Sequence, residues 1–255
     1  MYLTGGIGST ARGESFGGDW VLPQTAYAES CAGCGLVFFA DEMRKRIPTE
    51  KAEAVRERAL YNNILGAISR DGENFYYQNP LSSSKLRYPW HGCPCCVGNI
   101  PRTLLALKDR LWRFDGDTLV LEQFMDHETE LKLPQGGTVR VREKTAYPFD
   151  GKVTLEFSRP MKVRVRFPDR AESALYRADP VVEHGYRSFS GEKIAFELPL
   201  PLQTVKAIPE VKDCEGRIAH QRGPLVLTRQ NGKDIPVYDR LNEKGASCEV
   251  WVEEK

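Results

Sequence analysis

The chain has 255 residues, 41% hydrophobic and 28% charged, which is ordinary globular usage with room for one large domain or two smaller ones. With 36 basic against 35 acidic residues the net charge is +1, so no field favours nucleic acid or an anionic membrane. No run approaches the roughly 18 apolar residues of a membrane span, and Met1–Gly6 has neither the basic nor the apolar region of a signal peptide; the expectation is a cytoplasmic protein.

Residues 1–20 are rich in glycine and follow no periodic element, so the chain reads as beginning inside a domain. Residues 25–46 predict a helix, apolar through Leu36, Val37, Phe38, Phe39 and Met43, with Lys45 and Arg46 at its negative end. Residues 50–69 predict a second: Val55, Ala59, Leu60, Ile64, Ala67 and Ile68 recur at spacings of mostly three and four. Thr49 offers it a partial cap, since Ala52 stands where a capping box wants Glu, and Asp71-Gly72 ends it. A third helix follows Asn99, with Pro101 in its first turn and Leu104, Leu105, Leu107, Leu111 and Trp112 behind.

From residue 115 the period becomes two. Thr118–Phe124, Glu130–Leu133, Thr138–Glu143, Lys152–Phe157, Lys162–Phe167, Lys193–Leu198 and Leu225–Arg229 read as strands separated by Gly-rich turns. Met161–Phe167 is the clearest, with one apolar and one basic face. The prediction is an α+β chain: helices over 1–114, then an antiparallel β-sandwich of jelly-roll type over 115–255.

Five of the seven cysteines fall in two tight groups, which suits a metal or reactive thiols better than a disulfide framework. The first group lies in Tyr27-Ala28-Glu29-Ser30-Cys31-Ala32-Gly33-Cys34, the second in Trp90-His91-Gly92-Cys93-Pro94-Cys95-Cys96-Val97-Gly98-Asn99. A tetrahedral zinc site needs four donors. Two sets compete on spacing alone: Cys31 and Cys34 with two of Cys93, Cys95 and Cys96, or Glu29 with Cys31, Cys95 and Cys96. Buried, unliganded cysteines are the bland alternative. His91 reads as an ordinary loop histidine before it reads as a ligand, and Cys214 and Cys248 as structural.

The stretches Tyr2-Leu3-Thr4-Gly5-Gly6-Ile7-Gly8-Ser9, Gly13-Glu14-Ser15-Phe16, Leu22-Pro23 and Tyr27–Cys31 resemble the signature of glycoside hydrolase family 127. Glu57-Arg58-Ala59-Leu60-Tyr61-Asn62, Phe75–Leu81, Cys93-Pro94-Cys95-Cys96 with Asn99-Ile100, and Ala219–Leu225 follow in the same order. The resemblance implies a retaining β-L-arabinofuranosidase of bacterial type. It implies zinc on Glu29, Cys31, Cys95 and Cys96, with Cys95 as nucleophile and Glu14 as acid/base. Glu57 and Tyr77 then contact substrate, an arabinofuranoside-containing glycan.

Taken singly, these residues have duller readings. Glu14 is a solvated loop carboxylate, Glu57 a surface ion-pair partner on a helix, and Tyr27, Tyr76 and Tyr77 core aromatics. The family's (α/α)6 barrel is represented here by about three helices. The resemblance therefore implies a truncated or split form of low activity alone, its remaining helices supplied by a separate chain or by a homo-oligomer. Two other functions fit the residues: a non-catalytic carbohydrate-binding module stapled by a structural zinc, and a thiol redox or zinc-buffer protein.

Overall fold

The computed structural model describes residues 1–46, 50–167, 175–179, 185–241, 244 and 246–254. The fold is α+β, and the described residues form two compact units.

The first unit comprises residues 1–104, 170–181 and 201–255. Its first helix is Ser30–Arg46, which buries Gly33, Cys34, Val37, Ala40, Asp41 and Arg44 at spacings that keep one face inward. It starts later than the residue pattern predicts, because residues 27–30 are paired elsewhere. The Ser30 N–H donates to the Tyr77 carbonyl at 3.0 Å, and the Asn79 N–H to the Tyr27 carbonyl at 3.1 Å. Glu50–Arg58 is helical and runs into a π-helical segment, Ala59–Ile64, then Leu65–Ala67. Thr49, the expected cap, lies outside the described residues. The widened turn is wholly buried and held by Asn62. Its amide donates to the carbonyls of Arg58 and Pro224, each at 2.9 Å, and its oxygen accepts the Val226 N–H at 2.7 Å. The first helix can lie against this turn because Gly33 has no Cβ; one placed there would collide with the Asn63 side chain.

The third helix is Cys95–Leu105. It begins four residues before Asn99, with Pro94 immediately ahead of it, a place where a missing N–H costs nothing. Pro101 therefore lies inside the helix, a correction to its predicted first-turn position.

The same unit contains an eight-stranded sheet. Its order is Ser82–Ser83, Cys248–Glu249, Leu225–Gln230, Arg217–Arg222, Leu202–Ala207, Tyr176–Asp179; Lys233–Pro236 pairs with Leu225–Gln230 and Val252–Glu253 with Arg217–Arg222. Tyr2, Leu3 and Leu22 share a core with Val205, Val226 and Trp251. Residues 201–255 thus cluster with 1–104, so the compact units do not follow an unbroken division at 114/115. Nothing in local periodicity announces that the glycine-rich start supplies core to strands 200 residues away.

The second unit, residues 105–169 and 182–200, holds a six-stranded sheet. Its order is Trp112–Asp115, Thr118–Leu121, Lys152–Phe167, Thr138–Thr145, His127–Lys132, with Gly185–Glu197 also on Lys152–Phe167. Two predicted strands, 152–157 and 162–167, are one strand here. Ser158-Arg159-Pro160 breaks the alternation, and the register against Gly185–Glu197 shifts between Glu156 and Met161. Thr118–Leu121 pairs with this strand in parallel, against the antiparallel expectation. Alternate residues Val139, Val141, Val153, Leu155, Val163 and Val165 are buried, as period two demands.

Candidate metal and thiol site

Glu29 and Cys31 are brought to the start of the first helix by the short pairing of Glu29 with Gln78. Ala28, just before them, is held at φ 39°, a left-handed conformation that an L-residue adopts only when its surroundings impose it. Cys95 and Cys96 open the third helix. Three sulfurs thus lie in the first turns of two helices, where unpaired backbone N–H groups favour negative charge.

The donor atoms of Glu29, Cys31, Cys95 and Cys96 all lie within 4.8 Å of one another and can hold a metal ion. Glu29 Oε1 is 3.7 Å from both Cys95 Sγ and Cys96 Sγ, and these sulfurs are 3.8 Å apart. The Asn99 amide, one helical turn beyond, donates to Cys31 Sγ at 3.2 Å. Of the two sets open on spacing, the grouping is the one that includes the carboxylate. Cys34 is buried one turn along the first helix, outside it. Burial pushes the Cys34 thiol pKa up, partly offset by a hydrogen bond with Thr103.

Glu14 reaches this cluster through Tyr77, with Tyr27 on the same carboxylate oxygen. It sits in a tight turn closed by the pairing of Thr10 with Ser15, after Gly13 at φ 68°, and is itself at φ 48°. A Cβ at Gly13 would meet nothing, so glycine is needed there for the backbone conformation alone. The hydroxyls of Tyr27 and Tyr77 both donate to Glu14 Oε1, at 3.0 and 3.1 Å. The Tyr77 hydroxyl is also 3.6 Å from Cys95 Sγ, so one hydroxyl separates the carboxylate from the sulfur. The rings of Tyr27 and Tyr77 are buried while their hydroxyls serve the site; the core-aromatic reading described only half of each. His91 stacks on Tyr77 at 4.2 Å, and its Nδ1 accepts the Cys93 N–H at 3.2 Å, outside the donor group.

Glu57 is 3% exposed, which corrects the surface-partner reading of that residue. Cys214 and Cys248 are buried far from the donor group in sequence, with contacts to Gln24 Nε2 at 3.3 Å and the Ser83 carbonyl at 3.3 Å.

Burial dominates the acidity of the site. It pushes the Cys95 thiol up to about 11, and Cys96, wholly buried, further still. The Tyr27 and Tyr77 hydroxyls are also held above their ordinary value by burial, so they remain donors to Glu14. Exposed Cys93 is shifted the other way, by its hydrogen bonds with the backbone and thiol of Cys95. Among the described residues no helix is long and apolar enough to cross a membrane.

A family model described as the GH127 catalytic domain of β-L-arabinofuranosidase matches residues 1–109. A non-reducing end β-L-arabinofuranosidase from Bifidobacterium longum subsp. longum is 30% identical over an alignment of 260 positions, gaps included, that covers 89% of this chain and 39% of that protein. The crystal structure of a GH127 β-L-arabinofuranosidase from Geobacillus stearothermophilus T6 matches with TM-score 0.86 and 26% identity, over 100% of this chain and 54% of its own. A further structure, of a GH127 β-arabinofuranosidase, shares the fold with TM-score 0.86 at 24% identity and the same coverage. The chain therefore spans about half, or less, of the length of these relatives.

Proposed function

We propose that this chain, whose residues 1–109 match the GH127 β-L-arabinofuranosidase catalytic-domain model, acts as a retaining glycosidase on terminal arabinofuranosides, with Cys95 as nucleophile and Glu14 as acid/base. The observation that carries the reading is the meeting of Glu29, Cys31, Cys95 and Cys96, with Glu14 one tyrosine hydroxyl from Cys95. Three thiols and a carboxylate from two chain segments are a donor set suited to zinc. A zinc ion held there supplies the positive charge that strips a thiol of its proton.

The side chains then divide the work. Cys95 Sγ attacks the anomeric carbon, and the C–S bond forms as the C–O bond to the aglycone breaks. Glu14 gives its proton to the departing oxygen. In the second half the Glu14 carboxylate takes a proton from water, whose oxygen attacks the anomeric carbon and returns the electron pair to sulfur. Two displacements at one carbon retain its configuration, the outcome normally obtained with a carboxylate nucleophile. Tyr27 and Tyr77 pin Oε1 of Glu14, leaving Oε2 to carry the travelling proton. Tyr77 and Glu57 contact the sugar in this reading. A reducing compartment such as the cytoplasm suits the seven free thiols.

The test is to incubate the full chain, zinc-loaded, with an aryl β-L-arabinofuranoside and to map any pentosyl adduct by peptide mass spectrometry. An adduct on Cys95 that accumulates in Glu14→Gln, where the second step is slowed, is the expected result. Phenol release that persists in Cys95→Ser would overturn the assignment.

A further inference from the structure

Cys93 is the one clustered cysteine of the second loop left outside the donor group, and it is exposed. Its Sγ nonetheless lies 3.6 Å from Cys95 Sγ, with only Pro94 between the two residues. The other neighbours of Cys95 are poorer partners for a covalent bond. Cys96 is adjacent in the chain, where a disulfide needs a strained ring, and it is wholly buried. Cys31 is tied by the Asn99 amide at 3.2 Å. An exposed thiol beside a half-buried one is the arrangement in which oxidation starts outside and is resolved inward.

We propose that Cys93 and Cys95 are a peroxide-sensitive dithiol, whose disulfide withdraws Cys95 from the metal-binding group and protects it from irreversible oxidation. The Cys93 sulfur attacks a hydroperoxide, breaking its O–O bond; Cys93 becomes a sulfenic acid and the peroxide leaves as water or alcohol. The Cys95 sulfur then attacks the sulfenyl sulfur, the S–S bond forms, and the hydroxyl leaves with the thiol proton as water. Two thiols and one hydroperoxide thus give one disulfide, with both electrons passing to the peroxide oxygens. A dithiol reductant reverses the change. The device rests on the proposed function only in that it silences the nucleophile; the disulfide itself depends on the two sulfurs alone.

The full chain, zinc-loaded and separately zinc-free, is treated with hydrogen peroxide and its free thiols are alkylated before peptide mass spectrometry, while released zinc is read with a chromogenic chelator. The expected result in both samples is loss of two hydrogens from the peptide spanning residues 88–102, with Cys93 and Cys95 both protected from alkylation. Zinc is released in step, and a dithiol restores the thiols. In Cys93→Ser the disulfide is absent and Cys95 gains oxygen instead. The same two-hydrogen loss in Cys93→Ser would place the bond on Cys96, and a cross-link to the peptide carrying Cys31 would place it there; either overturns the proposal, as would Cys93 and Cys95 both remaining open to alkylation. Failure to bind zinc with the disulfide still forming would sink the metal reading and leave this one standing.

Discussion

Two carboxylates, Glu29 and Glu143, are both taken out of water, and only one of them sits in a site. Glu29 lies between loop and helix, where strained backbone at Ala28 and the starts of two helices bring three sulfurs to it. Glu143 lies on the regular strand Thr138–Thr145 of the other unit, wholly buried. It accepts the Met125 N–H at 3.2 Å and lies 3.5 Å from His127 Nδ1; the other nitrogen of that ring accepts the Trp112 N–H at 2.8 Å. Burial holds the Glu143 carboxyl well above its ordinary range. The contrast teaches that burial of an acid is not itself a functional signal. A strand alternates its side chains and presents a lone carboxyl to a core, whereas converging helix starts bring several donors to one point.

That contrast is open to attack at four residues. The largest effect is expected at Glu29→Gln, which removes a proposed ligand: zinc affinity should fall by more than about 100-fold, beyond the range typical of outer-shell partners. Chelator competition measures it, and undiminished affinity would hand the fourth position to Cys34 or Cys93. Next comes Asn62→Ala, which leaves a buried carbonyl and the Val226 N–H without their partner. A loss of about 2 kcal/mol in urea unfolding is expected; a loss near zero would show that the π-helical turn holds without it.

Glu143→Gln tests the other half of the comparison. A carboxyl whose folded pKa is raised favours the native state most below its unfolded value, 4.5, and that advantage is lost as pH climbs from there towards the folded pKa. The variant should therefore lose less stability than the parent between pH 4 and neutrality, read from thermal melts across pH. Equal pH slopes would mean that Glu143 is ionised and paired with His127. The smallest effect is expected from Cys34→Ala, which should leave zinc affinity unchanged and cost about 1 kcal/mol or less of stability. A drop in affinity there would revive the all-cysteine set.

Much of this was legible in residues read one segment at a time. Spacings of three and four located the helices, and alternation located the strands, because each period follows from local backbone geometry. Glu29-Ser30-Cys31 and Cys93-Pro94-Cys95-Cys96 offered candidate metal donors at short range. Asn99 escaped a role, though its place three and four residues after Cys96 and Cys95 on one helix puts it on their face. Lys152–Phe167 was divided because Pro160 breaks a pattern that the pairing with Gly185–Glu197 carries across.

By itself, then, the sequence determined which residues offer metal donors, which segments coil or extend, and that two cysteine-bearing loops were available. Only the tertiary structure decided that Glu29 and not Cys34 stands with the sulfurs, that Tyr27 and Tyr77 hold Glu14 beside them, and that Tyr2 and Leu3 pack under strands 200 residues later. The reason is physical: propensity and donor chemistry act within a few residues, whereas the meeting of distant segments is set by which surfaces bury each other and by backbone strain that packing alone can impose.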